Sequence, residues 1–201
     1  MSSPTTPIDA SAADDAPRIV EVRVIHQGWG RFLSARIRLG SGEEIDRAIE
    51  DHGSAVAVLP YDPDRGVALL VRQLRPAVLM ASGAASVLEV PAGRLDTSDP
   101  RACAVREAYE EAGVHLRDLK AVSVNWAMPA ISTEVIHLFL AAFNEADLIG
   151  AGGGLAHEGE QITVETVKLA DLARMADAGE LPDMKTHLLV LTLRHRRPDQ
   201  F

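Results

Sequence analysis

The sequence predicts one α+β domain, with a series of short strands covered by two or three helices. Three observations carry this: alternating apolar and polar runs recur over the first two thirds of the chain, one helix in the middle has both ends written in its residues, and two helical patterns close the chain. At 201 residues, 47% hydrophobic and 24% charged, the chain is long enough for one well-buried domain and short for two. Aromatics are only 4% of the residues, so the core is expected to be aliphatic.

Residues 1–17, rich in Ser, Thr, Pro, Ala and Asp, are expected to be a disordered tail. Val20, Val22 and Val24 then alternate with Glu21, Arg23 and Ile25. After a Gly28-Trp29-Gly30 turn the same alternation runs from Phe32 to Leu39, so 18–50 is an N-terminal antiparallel strand region. Strands are expected at 45–49, 55–59 and 67–74, with Asp62-Pro63-Asp64-Arg65-Gly66 as a hairpin turn. The segment 86–90 leads into a loop and a helix. Further strands are expected at 122–127, 135–142 and 162–169, a glycine-rich loop at 150–160, and helices at about 170–178 and 183–195. The catalytic domain is taken as 51–201, and no repeats occur.

The central helix holds the chemistry. Asp99 is a good N-cap, Pro100 suits the first helical position, and Gly113 suits the left-handed residue past the end. At 100° per residue, Glu107, Glu110 and Glu111 fall within roughly one 100° arc, opposite Ala102, Val105, Tyr109 and Ala112. The apolar side is expected to pack inward and the carboxylates to look out together. That clustering opposes helix formation: like charges at i,i+4 repel, and negative charge near the last turn opposes the helix dipole. Three carboxylates aimed at one point suit a hard divalent cation, since Mg²⁺ takes oxygen ligands and keeps waters and substrate phosphates in its shell.

The segment resembles the Nudix box, Gly-x5-Glu-x7-Arg-Glu-U-x-Glu-Glu-x-Gly-U with U a bulky aliphatic residue. Gly93, Arg106, Glu107, Glu110, Glu111, Gly113 and Val114 match it. Ala108 stands at a U position, and the loop before Arg106 is one residue shorter than the pattern. The family's first Glu then falls on Ser98 or Asp99, and no metal role is carried over to either. Other stretches are also similar, in order: Val71–Ala77, Leu88–Gly93, Gly152-Gly153-Gly154 followed by Glu158-Gly159-Glu160, Gly179-Glu180 and Lys185-Thr186. Over residues 18 to 195 the chain resembles the nucleoside-diphosphate-sugar pyrophosphatases. The short loop and the glycine run tilt it towards the GDP-mannose rather than the ADP-ribose type.

The resemblance implies the family's α/β/α sandwich on a mixed sheet. It also implies Mg²⁺-dependent (or Mn²⁺-dependent) hydrolysis of a nucleotide sugar's pyrophosphate. Glu107 and Glu111 would hold metal, with Glu110 and the Ala92 carbonyl completing the site and Arg106 orienting a glutamate. The acidic loop would supply Glu158 as general base and Glu160 as metal ligand or alternate base, with His157 as another possible proton acceptor. From its glycines alone, that loop is expected to be flexible, with no core side chains to hold it. Arg72 and Arg75 would bind substrate, Arg75 as a diphosphate clamp, because a guanidinium matches phosphate oxygens bidentately. Glu89 is expected to anchor a nearby loop or arginine. The competing reading is a catalytically silent nucleotide-sugar-binding module, against which the intact box glutamates stand.

A net charge of −9 with no basic patch argues against nucleic acid as partner. The single cysteine, Cys103, excludes an intrachain disulfide and fits a reducing compartment. With no apolar run of about 18 residues and no basic-then-apolar leader, a cytoplasmic protein away from membranes is expected. A homodimer is expected as well: strands bearing Val20, Val22, Val24 and Phe32 need a cover, and in the family the N-terminal strands pack on a second subunit.

Overall fold

The computed structural model describes residues 16–155 and 159–201. The chain forms two compact units: one runs to Gly53 and includes Trp126–Glu134, and the other comprises Ser54–Asn125 and Val135–Phe201.

The first unit is an antiparallel three-stranded sheet, β1 (Arg18–Gln27), β2 (Arg31–Arg38) and β3 (Glu44–Asp51), in that order. Its register is written in charge. Arg38 faces Glu44, Arg36 faces Asp46 and Arg31 faces Asp51 across β2 and β3, and each pair is closed by a side-chain hydrogen bond. Opposite charges placed directly across a ladder favour that pairing over a one-residue slip. Leu33 and Ala35 are buried, whereas all ten residues of β1 are exposed. The segment 126–134 ties onto β3: Glu50 N–H donates to the Ile131 carbonyl at 2.7 Å, and the Thr133 hydroxyl to Asp51 Oδ1 at 2.7 Å.

In the second unit, β4 (Ala55–Asp62), β5 (Val67–Gln73), β8 (Leu119–Trp126), β9 (Val135–Ala142) and β10 (Ile162–Lys168) stand in the order β10-β5-β4-β9-β8. The β4–β9 pair is parallel, and β4–β5 and β10–β5 are antiparallel, so the sheet is mixed. Two short strands join it, β6 (Val87–Glu89) on β5 and β7 (Ala92–Arg94) on β4. Successive strand side chains point to opposite faces. Thus Ala57, Leu59, Leu70, Leu138 and Leu140 meet α3 (Leu169–Asp177) and α4 (Met184–Arg196) on one side. Val56, Val58, Leu69, Val71 and Phe139 meet α2 (Pro100–Ala112) on the other. This is the expected α/β/α sandwich, with central strands apolar on both faces because both are covered.

The ends of α2 fall where the sequence places them. Asp99 accepts from Arg101 and Ala102 N–H, and Gly113 has φ +69°. Its faces do not: Cys103, Ala104, Ala108 and Ala112 are buried, Ala102 is exposed, Tyr109 is 45% exposed, and Glu111 is buried at 2%. The apolar arc is thus rotated from the expected one, and the carboxylates do not all look out to water. α1 (Pro76–Ser82) is a helix that the pattern does not reveal, because none of its seven residues is buried and no periodic face is written into it.

The glycine-rich segment is also unlike its expectation. Gly153 and Gly154 N–H donate to the Glu111 and Glu110 carbonyls at 2.9 and 3.0 Å, and Ile149 and Gly150 N–H to that of Gly113. These are carbonyls that a helix end leaves without partners. Backbone, not side chains, holds the loop. A Cβ on Gly152 (φ +65°) would lie 2.5 Å from the Glu111 carbonyl oxygen, which excludes any larger residue.

Removing the α2 cap by Asp99→Ala should lower stability by about 1 kcal/mol, read as a lower denaturant midpoint at unchanged slope.

Candidate active site

Between β6 and β7 the chain crosses from one neighbouring strand to another, and this crossing underlies α2. Two contacts join them. Ala92 N–H donates to Glu111 Oε2 at 2.9 Å. One residue on, any Cβ on Gly93 would overlap the Glu107 carboxyl group, so only glycine lets that glutamate lie there.

Burial pushes Glu111 up to about 8; Glu107 and Glu160 add to the rise, and the Ala92 N–H and Arg75 oppose it. Burial likewise pushes Glu107 up to about 7, against the pull of Arg106 and with Glu110, Glu160 and Asp96 adding to the rise. A strained set of carboxylates in a partly dry site is a common signature of function. Arg106 spreads over this charge, with Nη2 at 2.9 Å from Asp96 Oδ1 and 3.0 Å from Glu107 Oε1, and Nη1 at 3.3 Å from Glu110 Oε2. Glu160 Oε2 accepts from Leu155 N–H at 2.8 Å. Glu158 and His157 lie outside the described residues.

Among the described residues, no three His, Cys, Asp or Glu side chains already stand in a coordinating array. The carboxylates are held apart on separate partners: Glu107 and Glu110 on Arg106, Glu111 on Ala92, Glu160 on Leu155. The donor set nevertheless fits a hard divalent ion, being all oxygen, with a glycine cradle at Gly93 that keeps the Glu107 carboxyl against the crossing.

The two arginines before the box are ion-paired. Arg75 grips the buried Glu89 bidentately, at 2.7 and 2.9 Å. Arg72 pairs with Glu165 at 2.6 Å. Glu89 also binds Lys185 Nζ at 2.5 Å. Burial alone would raise the Glu89 carboxyl, but Arg75 and Lys185 outweigh it and hold it below the usual range. Both donors of the Arg75 fork on this side are therefore taken up by Glu89, which fixes the direction of the guanidinium.

A mixed-sheet α/β/α sandwich with this glutamate-bearing helix defines a Nudix hydrolase. The NUDIX domain profile matches residues 51–188, and the chain belongs to the Nudix hydrolase family, whose members generally use a divalent metal. It is 32% identical over 145 residues to a GDP-mannose pyrophosphatase of Citrobacter koseri, covering 72% of this chain and 75% of that protein. It is 33% identical over 153 residues to the GDP-mannose pyrophosphatase of Salmonella paratyphi B, covering 75% and 79%. A solved structure described as an ADP compounds hydrolase shares the fold at TM-score 0.72 and 15% identity, over 92% of this chain and 95% of that one.

The sequence alone assigns no role to Asp96, Lys185 or Thr186. Lys185 and Thr186 stand out there only as part of a similar stretch. Asp183 three residues before Thr186 is a cap signal that points at the turn holding them.

A raised carboxyl keeps its proton in the folded chain to about 8 but releases it near 4.5 when unfolded. Its contribution to stability is therefore full below 4.5 and is lost as pH rises through 8. In metal-free protein, Glu111→Gln should gain thermal stability relative to wild type as pH is raised from about 5 to about 9. A difference that stays flat with pH rejects the buried-carboxyl account.

Proposed function

We propose that the chain hydrolyses the pyrophosphate bond of a nucleoside diphosphate sugar, with GDP-mannose preferred over ADP-ribose and both over nucleoside triphosphates. The relatives named GDP-mannose pyrophosphatase, 31–33% identical over most of their length, support the substrate class. The observation that carries the reaction type is the meeting of two glutamates of one helix, the buried Glu111 and the partly buried Glu107, with one glycine-cradled crossing.

In this reading Glu107 and Glu111 hold Mg²⁺ (Mn²⁺ as a substitute), Glu110, Glu160 and the Ala92 carbonyl complete or support the site, and Arg106 orients Glu107 and Glu110. A bound divalent ion supplies charge neutralisation on the diphosphate and lowers the pKa of a coordinated water. A carboxylate of the 158–160 segment, Glu158 before Glu160, takes the proton of the attacking water. The water oxygen bonds to one phosphorus as the bridging P–O bond breaks, leaving a nucleoside monophosphate and a sugar phosphate. Arg75, braced by Glu89, and Arg72 bind the substrate's phosphates. The protein works in the cytoplasm, with no nucleic-acid or membrane partner.

Product release from a nucleotide-sugar panel with Mg²⁺ tests this. Glu111→Gln should lose most activity with its fold intact, and Glu158→Gln should lose kcat with little change in KM. A preference for a triphosphate such as dGTP overturns the substrate, and near wild-type turnover of Glu111→Gln in excess Mg²⁺ overturns the metal assignment.

The same proposal includes a homodimer. On β1, Ile19, Val22, Val24 and Ile25 are 52–60% exposed, and β1 is an edge strand. An apolar edge of that length is normally covered. Sedimentation should give a dimer at micromolar concentration, and Val22→Asp with Val24→Asp should give monomers. A wild-type monomer with full activity sinks this.

A further inference from the structure

The crossing that carries Ala92 and Gly93 is itself held from the far side of the sheet, by the first turn of α4. Because β6 bonds to β5 and β7 to β4, the residues between them leave both ladders. Val90, fully buried, would be left with an unsatisfied N–H, a defect that buried backbone rarely tolerates. Thr186, also fully buried, fills that need: its hydroxyl oxygen accepts from Val90 N–H at 2.8 Å. The same hydroxyl donates to Asp183 Oδ2 at 2.5 Å, and that carboxylate oxygen also accepts Thr186 N–H at 3.0 Å as the α4 cap. The hydroxyl is thus fixed in direction by the helix it stands on. A second tie runs beside it, since Lys185 Nζ bridges Asp183 Oδ1 at 2.8 Å and Glu89 Oε2 at 2.5 Å. On the other side Val58 N–H donates to the Pro91 carbonyl at 3.0 Å. Residues 89–91 are therefore anchored one after another, and the next N–H along the chain is the one that meets Glu111.

We propose that Thr186 is a positioning residue for the metal site: by fixing Val90 it sets where Ala92 N–H meets the Glu111 carboxylate and where Gly93 lies under Glu107. This rests on the reading of Glu107 and Glu111 as metal ligands. Groups that hydrogen-bond a metal ligand orient it, and losing one typically weakens metal binding about 10–100-fold; the Ala92 N–H is such a group for Glu111, and Thr186 holds it from one step further out. Thr186 hydrogen-bonds to Val90 and Asp183, and its link to Glu111 runs through the crossing and the Ala92 N–H.

The test compares Thr186→Val, which keeps the shape and removes the hydroxyl, with Thr186→Ser, which restores it. Leu172→Ala serves as a control for general loss of stability, since Leu172 is buried in α3 among the α3–α4 core residues. Two quantities are read: the Ala92 amide proton chemical shift in metal-free protein, and the Mn²⁺ dissociation constant by calorimetry. Thr186→Val should move the Ala92 amide upfield and weaken Mn²⁺ about tenfold or more, while Thr186→Ser stays within about twofold of wild type. Leu172→Ala should change neither. If Thr186→Val leaves the Ala92 shift and the Mn²⁺ affinity at wild-type values, or moves them no more than Leu172→Ala does, the proposal is overturned. Should Thr186→Val not fold, Thr186→Cys, with a weak acceptor of similar size, gives the same two readings. Glu111→Gln separates metal ligation from positioning. If it binds Mn²⁺ as tightly as wild type, the metal-ligand reading has failed, and the Ala92 shift still decides whether Thr186 positions that carboxylate. If Glu111→Gln loses Mn²⁺ while Thr186→Val does not, the positioning role alone has failed.

Discussion

Glu111 carries a carboxyl group that water scarcely reaches, and among the described residues the Ala92 N–H is the hydrogen-bond donor that meets it. An ionised group so placed is costly unless its position and its partners are fixed together. Much of the second unit reads as the means of fixing them. α2 is capped at both ends and laid on the sheet by small residues, Cys103, Ala104, Ala108 and Ala112, that bring its backbone close. The strand crossing below it has no side chain at 93, so a second glutamate lies against backbone. Small residues on one partner and none on the other are what let two acidic side chains occupy a gap that ordinary packing would fill.

Charge in this region is arranged in two tiers. Near the surface, Arg106 pairs with the exposed Asp96 and reaches Glu110, contacts that are each worth little where water screens them. Deeper, Glu89 is matched by Arg75 and Lys185 and stays ionised. Between these tiers lie Glu111, met by the Ala92 N–H, and Glu107, which shares the single Arg106 guanidinium with Asp96 and Glu110. That deficit of positive charge is local, since the acidic groups above and below are compensated. On the proposed reading, a cation held there would invert the local sign and let a chain of net charge −9 meet an anionic substrate.

Much of the architecture is legible in the sequence because it depends on short-range rules. Asp99, Pro100 and Gly113 mark the helix, and the strand runs 135–142 and 162–168 follow from their apolar spacing. The site is legible through its glutamates and through Gly93. What the sequence conceals depends on neighbours far along the chain. The burial of Glu111 comes from strands outside its own helix, so its helical arc alone suggests exposure. The partnership of Thr186 with Val90 joins residues 96 apart. α1 has no buried face, hence no periodic signature. The glycine run looks slack when side chains alone are counted, whereas its hold is made by N–H groups on the end of α2.

That last feature distributes evolutionary freedom unevenly. Positions 152 and 154 adopt positive φ and lie against the Glu111 carbonyl oxygen and the Glu160 side chain, so neither admits a Cβ without displacing its neighbour. Ala151, between the Gly150 and Gly153 anchoring contacts, is exposed. Gly153 has room for a Cβ but sits at φ +102°, so the freedom in this stretch lies at Ala151, while the helix end and the loop root must change together or not at all. A lineage could not discard the glycines and keep the same helix end.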